Sequence, residues 1–354
     1  MKNIYIEEIT VGQKIDSLFL IENPSIKSKT GGLFITCTIS DRTGTRDCKI
    51  WGNRGSSEEE IERYYELIVE GNIYRIAGEV REYNGAMEIH VNSGIEFLAY
   101  TENENNLNIR DYIYSPVDPD ETKKKLEKHI SGIKDSGIRK IVREAIKTSD
   151  GFYEKPAAKK NHHAYYGGLA HHTLEVVEIA AGITDSLPGI DIDRDIVIAG
   201  ALIHDIGKAD TFEKSGISYK PCPAYSLIGH ISPAIERISK FRTYTDEDAF
   251  YHLLHIIQSH HGTYGDVLPQ STEAWTVHHA DNISAMLNEV SSTLKDIKEG
   301  EFGWCKPVNS NLYRFHKKRD SVTGRTIKPD DKSPAHNKEE PDDNKPNKGQ
   351  SSLF

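Results

Sequence analysis

The stretch Asp195–Lys208, DIVIAGALIHDIGK, decides the fold class of the larger part of the chain. Its apolar run, Ile196–Ile203, has the composition of a buried helix, and His204 and Asp205 follow it directly. Such a polar pair is costly to bury unless it has partners. Gly207 lets the backbone turn after the pair, so that both side chains can face one centre. The stretch therefore predicts a helical domain that contains a histidine–aspartate site.

Further histidine-containing motifs lie within or beside apolar helical stretches. They are GGLAHHT (167–173), GHI (229–231), SHHG (259–262) and HHADN (278–282). Imidazole and carboxylate are typical ligands of Mn, Fe, Co, Ni and Zn, and the absence of paired thiols argues against a thiolate-rich site. A single histidine is more often an ordinary core or surface residue, which is our interpretation of His162, His252, His255, His278 and His279. The set as a whole is difficult to assemble by chance and predicts a metal centre.

Helical periodicity extends from Glu121 to about Ile297, and Gly, Pro and Asp clusters divide it. The predicted helices are Thr122–Thr148, His172–Thr184, Asp195–Ile203, Leu227–Phe241, Asp246–Gln258 and Thr272–Leu294. Residues 298–316 contain enough aromatic side chains to pack against this helical body. We therefore predict an all-α domain over residues 121–316.

Residues 1–100 have a different pattern, with alternating or apolar runs separated by turn signals. The predicted strands are Lys14–Ile21, Leu33–Ser40, Arg46–Trp51, Ile73–Val80 and Met87–Phe97, with a short helix at Ser57–Val69. Three strands, a helix and two more strands predict a small all-β barrel of the OB type. Residues 101–120 are predicted to be a linker. The fold class is thus α+β multidomain, and the polar tail over residues 317–354 is predicted to be disordered.

The composition limits the classes of function. At 354 residues the chain can form two separate cores, and its formal charge of −10 argues against coating nucleic acid through bulk basicity. The 4 cysteines are scattered and form no CxxC pair, which argues against both a disulfide framework and a zinc knuckle. The N-terminus lacks the apolar core of a signal peptide, and the sequence contains no stretch of membrane-spanning length. We therefore expect a cytoplasmic protein.

The order of the histidines and aspartates resembles the HD superfamily of metal-dependent phosphohydrolases, and the additional histidines resemble its two-metal branch. By that resemblance, one ion is held by His172, His204, Asp205 and Asp281. Asp205 would bridge to a second ion, held by His230 and by one or both of His260 and His261. Lys208 stands where members with an HDxxK motif place a lysine near the scissile phosphate; the alternative is a solvated lysine after a helix end.

A narrower resemblance rests on the barrel together with NHHAYYGGLAHHTLEV (161–176), HDIGK (204–208), LIGHI (227–231) and SHHGTYGDVLPQSTEAWTVHHADNISAM (259–286). Over roughly residues 1–315 the chain resembles the YhaM-type 3′→5′ exoribonucleases. HHADN departs from that pattern, in which a more apolar approach to the final aspartate is usual.

This resemblance implies hydrolysis of single-stranded RNA to nucleoside 5′-monophosphates, with single-stranded DNA left open as a second substrate. Mn²⁺ is the expected ion, with Co, Fe, Ni or Mg as alternatives. Two such ions can activate a water and neutralise charge on the attacking and leaving oxygens. Asp205, Lys208 and His163 are the expected catalytic residues.

An OB barrel next to such a site can hold single strands by stacking bases on aromatic rings in a groove with basic groups. The candidate contacts are Phe34, Lys49, Trp51, Tyr74 and Tyr83. The alternative is that the aromatic side chains fill the barrel core.

The chain ends in Gln350-Ser-Ser-Leu-Phe354 after its polar tail. This peptide resembles the short motif with which bacterial proteins bind the replication sliding clamp. Gln350 would fill a polar subsite, and Leu353 and Phe354 an apolar pocket, while the tail acts as a tether. An ordinary tail end is the alternative.

Two other functions fit the same residues. One is an HD phosphohydrolase of free or cyclic nucleotides, against which the barrel argues. The other is a non-catalytic single-strand-binding protein with structural metals, against which the complete ligand set and Lys208 argue. The sequence leaves the preferred nucleic acid and a homo-oligomeric state open.

Overall fold

The computed structural model describes residues 2–29, 32–51, 56–83, 86–92, 96–100, 107–159 and 163–316. His162 and the predicted disordered tail, with Gln350, Leu353 and Phe354, lie outside the described residues. Within them, a β-barrel precedes a helical domain, as the sequence predicts. No described helix is long and apolar enough to cross a membrane.

The N-terminal domain is a closed barrel. Its elements are β1 (Lys14–Lys29), β2 (Gly32–Asp41), β3 (Gly44–Ile50), α1 (Glu58–Leu67), β4 (Ile73–Tyr83), β5 (Ala86–Val91) and β6 (Glu96–Tyr100). β1 pairs with both β2 and β4, and β3 pairs in parallel with β5, so the barrel closes in the order β1-β2-β3-β5-β4. This order confirms the OB-type prediction. The predicted strand Met87–Phe97 is instead divided between β5 and β6.

Apolar residues on alternate positions of the strands fill the barrel. Phe19, Ile35, Ile39, Ile50 and Ile89 are fully buried in one cluster. Because side chains of a strand alternate between its faces, the intervening positions face outwards. This alternation supplies both the core and an outer surface that can carry polar and aromatic groups.

The second domain is helical. Its helices are α2 (Pro119–Gly132), α3 (Ser136–Lys147), α4 (Gly168–Ser186), α5 (Arg194–Ile203), α6 (Pro223–Leu227), α7 (Ile231–Ser239), α8 (Glu247–Ser259) and α9 (Thr272–Asp296). α5 is buried throughout Ile196–Ile203 and packs against α3, α4, α8 and α9. The helix that carries the His204–Asp205 pair is thus the centre of the domain.

Two predicted helix boundaries are wrong. The predicted helix Thr122–Thr148 is two helices, because the side chain of Asp135 accepts a hydrogen bond from the Ile138 amide and starts α3. The predicted helix Leu227–Phe241 begins at Ile231, since Gly229 adopts a φ of 70° before it.

The sequence-based prediction missed two hairpins, β7–β8 (Phe212–Ser215 and Ser218–Pro221) and β9–β10 (Phe302–Cys305 and Ser310–Tyr313). β9–β10 attaches to the body through Ile297 and Cys305, which are buried. Phe302, Trp304 and Phe315 are exposed, so the prediction that this aromatic segment packs against the helical body is wrong for these three.

The hairpin β7–β8 and part of the predicted linker connect the two domains. Ile217 at the hairpin tip packs with Leu18, Leu20 and Ile73 of the barrel and with Tyr112, which is buried inside the predicted linker. The helical domain begins at Pro119, where Asp118 caps α2. The segment that the sequence suggests is a plain linker therefore helps to fix the barrel on the helical domain.

Candidate metal centre

The site begins at the C-terminal end of α5. The His204 ring lies with Nδ1 2.8 Å from the Ala201 carbonyl oxygen, so Nδ1 carries the proton and donates it. This leaves the lone pair of Nε2 directed away from the helix. Asp205 follows and is buried. A Cβ on Gly207 would lie 1.9 Å from the carbonyl oxygen of His230, so only glycine lets that loop approach Asp205.

One oxygen of Asp205 faces a first group of ligand atoms. Oδ2 lies 3.3 Å from His172 Nε2 and 3.4 Å from His204 Nε2. Oδ1 of Asp281 lies 3.1 Å from His172 Nε2. His172 comes from α4 and Asp281 from α9, so the fold brings three distant motifs together. These are the residues that the resemblance assigns to one ion.

The other oxygen of Asp205 faces a second group. Oδ1 lies 3.2 Å from His230 Nε2 and 3.5 Å from His260 Nε2. His260 donates through Nδ1 to the Ile257 carbonyl oxygen at 2.7 Å, which again leaves Nε2 with its lone pair. His230, His260 and His261 each offer a nitrogen within 4.8 Å of the others. Both neighbouring histidines, between which the sequence cannot choose, therefore belong to this group.

The donor set fits two divalent transition ions. His172 Nε2 and His204 Nε2 are 3.3 Å apart, yet His204 Nε2 is an acceptor and cannot donate to its neighbour. Asp205 Oδ1 is buried and has no hydrogen-bond donor within the described part of the chain. Ligand atoms bonded at about 2.0–2.2 Å to one ion lie about 3 Å apart, which is the spacing found in both groups. Asp205 would then be shared by two ions.

Charges inside the site agree with this assignment except at His172, where burial lowers the pKa but hydrogen bonds to Asp205 and Asp281 raise it to about 9. A bound ion would have to displace that proton. Burial alone would raise the pKa of Asp205, but the Lys208 ammonium and His204 hold it well below its usual range. Lys208 Nζ lies 2.6 Å from Asp205 Oδ2, and its role near the scissile phosphate remains a prediction. Burial lowers the pKa of His230 to about 3 and that of His261 to about 4. Both imidazoles are thus neutral at physiological pH, the form that binds metals.

A second cluster lies behind His172. His163 Nε2 is 3.2 Å from Glu175 Oε2, and His171 Nε2 is 3.4 Å from Glu175 Oε1. The His163 ring is 5.1 Å from the His172 ring, so His163 lies next to the ligands. Its predicted catalytic role remains a prediction.

The motifs did not identify Glu175 and Ser284. Ser284 donates to Glu175 Oε2 at 2.7 Å and lies 3.2 Å from His172 Nδ1. Ser284 follows Asp281 by one helical turn, and Glu175 follows His171 by four residues, so both share a helix face with a residue of the site. That spacing is the only sequence signal for them.

The barrel residues predicted to bind nucleic acid form a patch with one exception. The Phe34 ring is only 8% exposed and stacks at 4.3 Å on the half-buried Trp51 ring, so Trp51 is the more accessible of the two. Lys49 Nζ lies 4.7 Å from the centre of the Tyr83 ring. Lys49 also pairs with Glu88 at 2.6 Å. Tyr74 is 0% exposed and its hydroxyl accepts from the Val69 amide, so its assignment to the binding surface is wrong. It fills the barrel core because it lies on the inner face of β4.

Solved structures offer only distant likenesses. A murine DNA-binding protein bound to double-stranded DNA shares 18% identity over 25% of this chain and 43% of that chain, with a TM-score of 0.19. Asparaginyl-tRNA synthetase from Pyrococcus horikoshii shares 13% identity over 72% of this chain and 63% of that chain, with a TM-score of 0.23. Neither supports an argument.

Sequence comparisons are more specific. A family model described as an OB-fold nucleic acid binding domain matches residues 21–97, and one described as an HD domain matches residues 169–286. The 3′-5′ exoribonuclease YhaM of Bacillus subtilis (strain 168) is 29% identical over 310 residues, which cover 85% of this chain and 93% of that protein. The chain therefore consists of an OB-fold domain followed by an HD domain and is a homologue of the exoribonuclease YhaM.

Proposed function

We propose that this protein is a metal-dependent hydrolase that removes nucleotides from the 3′ end of single-stranded RNA. One observation carries the proposal: the two oxygens of the buried Asp205 each face a separate group of histidine nitrogens. Such a shared carboxylate is suited to two ions that act on one phosphodiester. The similarity to an exoribonuclease over most of both chains supports the choice of substrate.

Each ligand group has its own role in this proposal. The residues for one ion are His172, His204, Asp205 and Asp281, and those for the other are Asp205, His230, His260 and His261. The ions, with Mn²⁺ expected, supply Lewis acidity and charge neutralisation at the phosphodiester. Lys208 contributes a positive charge next to the shared carboxylate of Asp205. The expected products are nucleoside 5′-monophosphates.

In this proposal the barrel binds the strand through a patch made of Phe34, Lys49, Trp51 and Tyr83. Stacked aromatic rings with nearby lysines bind bases and phosphates without reading the sequence. His90 extends the patch, since its ring lies 5.9 Å from Trp51. Because the protein has a formal net charge of −10, its affinity for RNA depends more on these stacking and lysine contacts than on long-range electrostatic attraction.

The test is a time course with 5′-labelled single-stranded RNA and DNA in Mn²⁺. The wild type should give a ladder that shortens from the 3′ end, and Asp205→Ala should abolish it. Asp248→Ala, on the exposed first turn of α8, is the matched control and should cleave normally. If metal-loaded protein shortens neither strand but hydrolyses mononucleotides, the nucleotide phosphohydrolase is the correct function.

We further propose that Gln350–Phe354 binds a replication sliding clamp, which rests on the peptide sequence alone. Deleting these five residues should abolish clamp binding in a pull-down and leave cleavage of free RNA unchanged. Equal clamp binding with and without the peptide, or none by the full chain, would exclude this role.

A further inference from the structure

A cleft of about 580 Å³ lies between the barrel and the helical domain, and none of the proposed metal ligands lines it. Its barrel wall includes Lys27, Thr36 and Lys49. Its opposite wall includes Tyr165 and Tyr219. The cleft thus has a polar, partly cationic side and an aromatic side. This arrangement matches a ligand that has phosphates along one edge and flat bases along the other.

The barrel wall of the cleft continues into the Phe34–Trp51 patch. In the sheet, Lys27 pairs with Phe34 and Thr36 pairs with Lys49. Side chains two residues apart on a strand lie on the same face, so Phe34 is beside Thr36. By the same rule Trp51 is beside Lys49. The stacked pair and the cleft wall are therefore parts of one outer surface of the barrel.

The tyrosines of the other wall are held in place by their hydroxyl groups. Tyr219 donates to Glu154 Oε2, and the Tyr165 hydroxyl contacts His171 Nδ1, each at 2.5 Å. Burial, together with the neighbouring carboxylates, raises the pKa of both phenols, so both hydroxyls keep their protons. Rings fixed in this way lose little rotamer freedom when a base stacks on them.

One end of the cleft approaches the cluster behind His172. Ala164 lines the cleft and directly follows His163, whose ring lies 5.1 Å from that of His172. Tyr165 contacts His171, which belongs to the cluster behind His172. A strand lying in the cleft would therefore reach the cluster behind His172, and its terminus would have to pass that cluster to meet the proposed ions.

We propose that this cleft binds the nucleotides of a single strand that lie next to the bond being cut. The bases stack on Tyr165 and Tyr219, and the phosphates face Lys27 and Lys49. Asp47 and Glu70 also line the cleft, so its walls carry no excess of positive charge and stacking supplies most of the affinity. The inference rests on the proposed function and specifies where that function holds its substrate.

The test measures binding separately from hydrolysis. Fluorescence anisotropy with a labelled single-stranded RNA of about twelve nucleotides, in chelator, gives the affinity without cleavage. Tyr219→Ala should weaken binding at least about fivefold, whereas Tyr219→Phe, which keeps the ring and loses only the hydrogen bond to Glu154, should weaken it by less than about twofold. Lys27→Gln, at an exposed position that does not endanger folding, should flatten the dependence of log affinity on log salt by about 0.7. Trp304→Ala, an exposed aromatic residue far along the chain, is the control and should bind normally.

Hydrolysis of bis(4-nitrophenyl) phosphate by the metal-loaded variants reports on the metal centre alone. Trp304→Ala should retain the wild-type rate, and Tyr219→Ala should lose a smaller fraction of this activity than of its strand affinity. The cleft is excluded if Tyr219→Ala and Lys27→Gln both bind within about twofold of wild type, or if wild type does not bind the strand. Variant-sensitive binding without any cleavage in Mn²⁺ would preserve the cleft and reject the exonuclease. The two proposals can therefore fail separately.

Discussion

His172 is oriented by a hydroxyl and a carboxylate that lie outside the histidine–aspartate motifs. Ser284 donates its proton to Glu175, so its oxygen accepts from His172 Nδ1. That arrangement fixes the proton on Nδ1 and leaves Nε2 as the metal-binding atom. Asn288 also donates to Glu175 Oε2, at 2.9 Å, and holds the carboxylate in place.

Ser284→Ala should therefore weaken the binding of one of two Mn²⁺ ions by about 10–100-fold, because His172 loses its acceptor. Isothermal titration calorimetry resolves the two binding events, and the event assigned to His230, His260 and His261 should be unchanged. Ser291→Ala on the exposed face of the same helix is the control. Equal loss at both sites would point to general damage to the fold rather than to this contact.

Substitutions at Tyr74 and Trp51 should have different effects: the first should change the stability of the barrel, and the second its affinity for RNA. Tyr74→Phe removes the acceptor of the Val69 amide in a part-buried hydrogen bond and should lower the free energy of unfolding by about 0.5–1.5 kcal/mol without changing RNA affinity. Trp51→Ala should weaken RNA binding by about 1–3 kcal/mol. Urea unfolding and anisotropy on both variants check the pair. Reduced RNA affinity in a stable Tyr74→Phe variant would contradict the burial argument.

The candidate metal ligands could be predicted from sequence because each lies in a short motif beside an apolar helix. The contacts of Ser284 with Glu175 and His172 could not, since they join residues more than a hundred positions apart along the chain. Tyr74 and Trp51 look equivalent in sequence as aromatic residues in strand regions. Only the register of the barrel shows that one faces inwards and the other outwards.

Element types were easier to predict than element boundaries. α5 is a continuous apolar run and the strands have alternating or apolar runs, so their existence follows from the apolar pattern. The break between α2 and α3 depends on a single cap, Asp135, within an otherwise helical sequence. The hairpin β7–β8 is short and is stabilised by its contact with the barrel. A local sequence pattern cannot predict such a contact.

The N-terminus of α9 depends on the charge of Glu273. Its Oε1 accepts from the Asp193 amide at 2.8 Å, and its Oε2 lies 3.2 Å from His252 Nε2. Burial alone would raise the pKa of Glu273, but the amide hydrogen bonds and His252 lower it below its usual value. A carboxyl with a depressed pKa stabilises the fold above its unfolded pKa, and this stabilisation is lost as the pH falls through the folded pKa.

Glu273→Gln should accordingly destabilise the protein at pH 7, by about 1–2 kcal/mol. The difference from wild type should begin to shrink below the unfolded pKa of about 4.3 and should continue to shrink as the pH falls through the lower pKa of the folded protein, where the wild-type carboxyl becomes protonated. Urea unfolding across this pH range measures it, with Glu62→Gln on the exposed side of α1 as the control. A difference that does not change with pH would mean that the charge of Glu273 is not what holds α9.

The two domains are joined by close backbone contacts as well as by apolar packing. The Ile217 amide donates to the Gly71 carbonyl at 2.8 Å, and Ser218 donates to Glu22 Oε1 at 2.7 Å. Burial at this interface raises the pKa of Glu22, so the docked arrangement favours its protonated form. The proposed cleft exists only while these contacts hold, because its walls belong to different domains.

Gly216→Ala tests this coupling, because a Cβ at position 216 would lie 2.1 Å from the Gly71 carbonyl oxygen and the residue has a φ of 58°. Gly12→Ala is the matched control, with a φ of 84° but open space around the new Cβ, so it carries only the left-handed backbone cost of about 1–2 kcal/mol. We expect Gly216→Ala to undock the barrel, which should divide thermal unfolding into two transitions. Cleavage of single-stranded RNA should then fall at least about tenfold, while bis(4-nitrophenyl) phosphate is hydrolysed at the wild-type rate, because the metal ligands all belong to the helical domain. If RNA cleavage survives in a variant whose domains unfold separately, the substrate reaches the metal centre without the barrel, and the cleft cannot be its path.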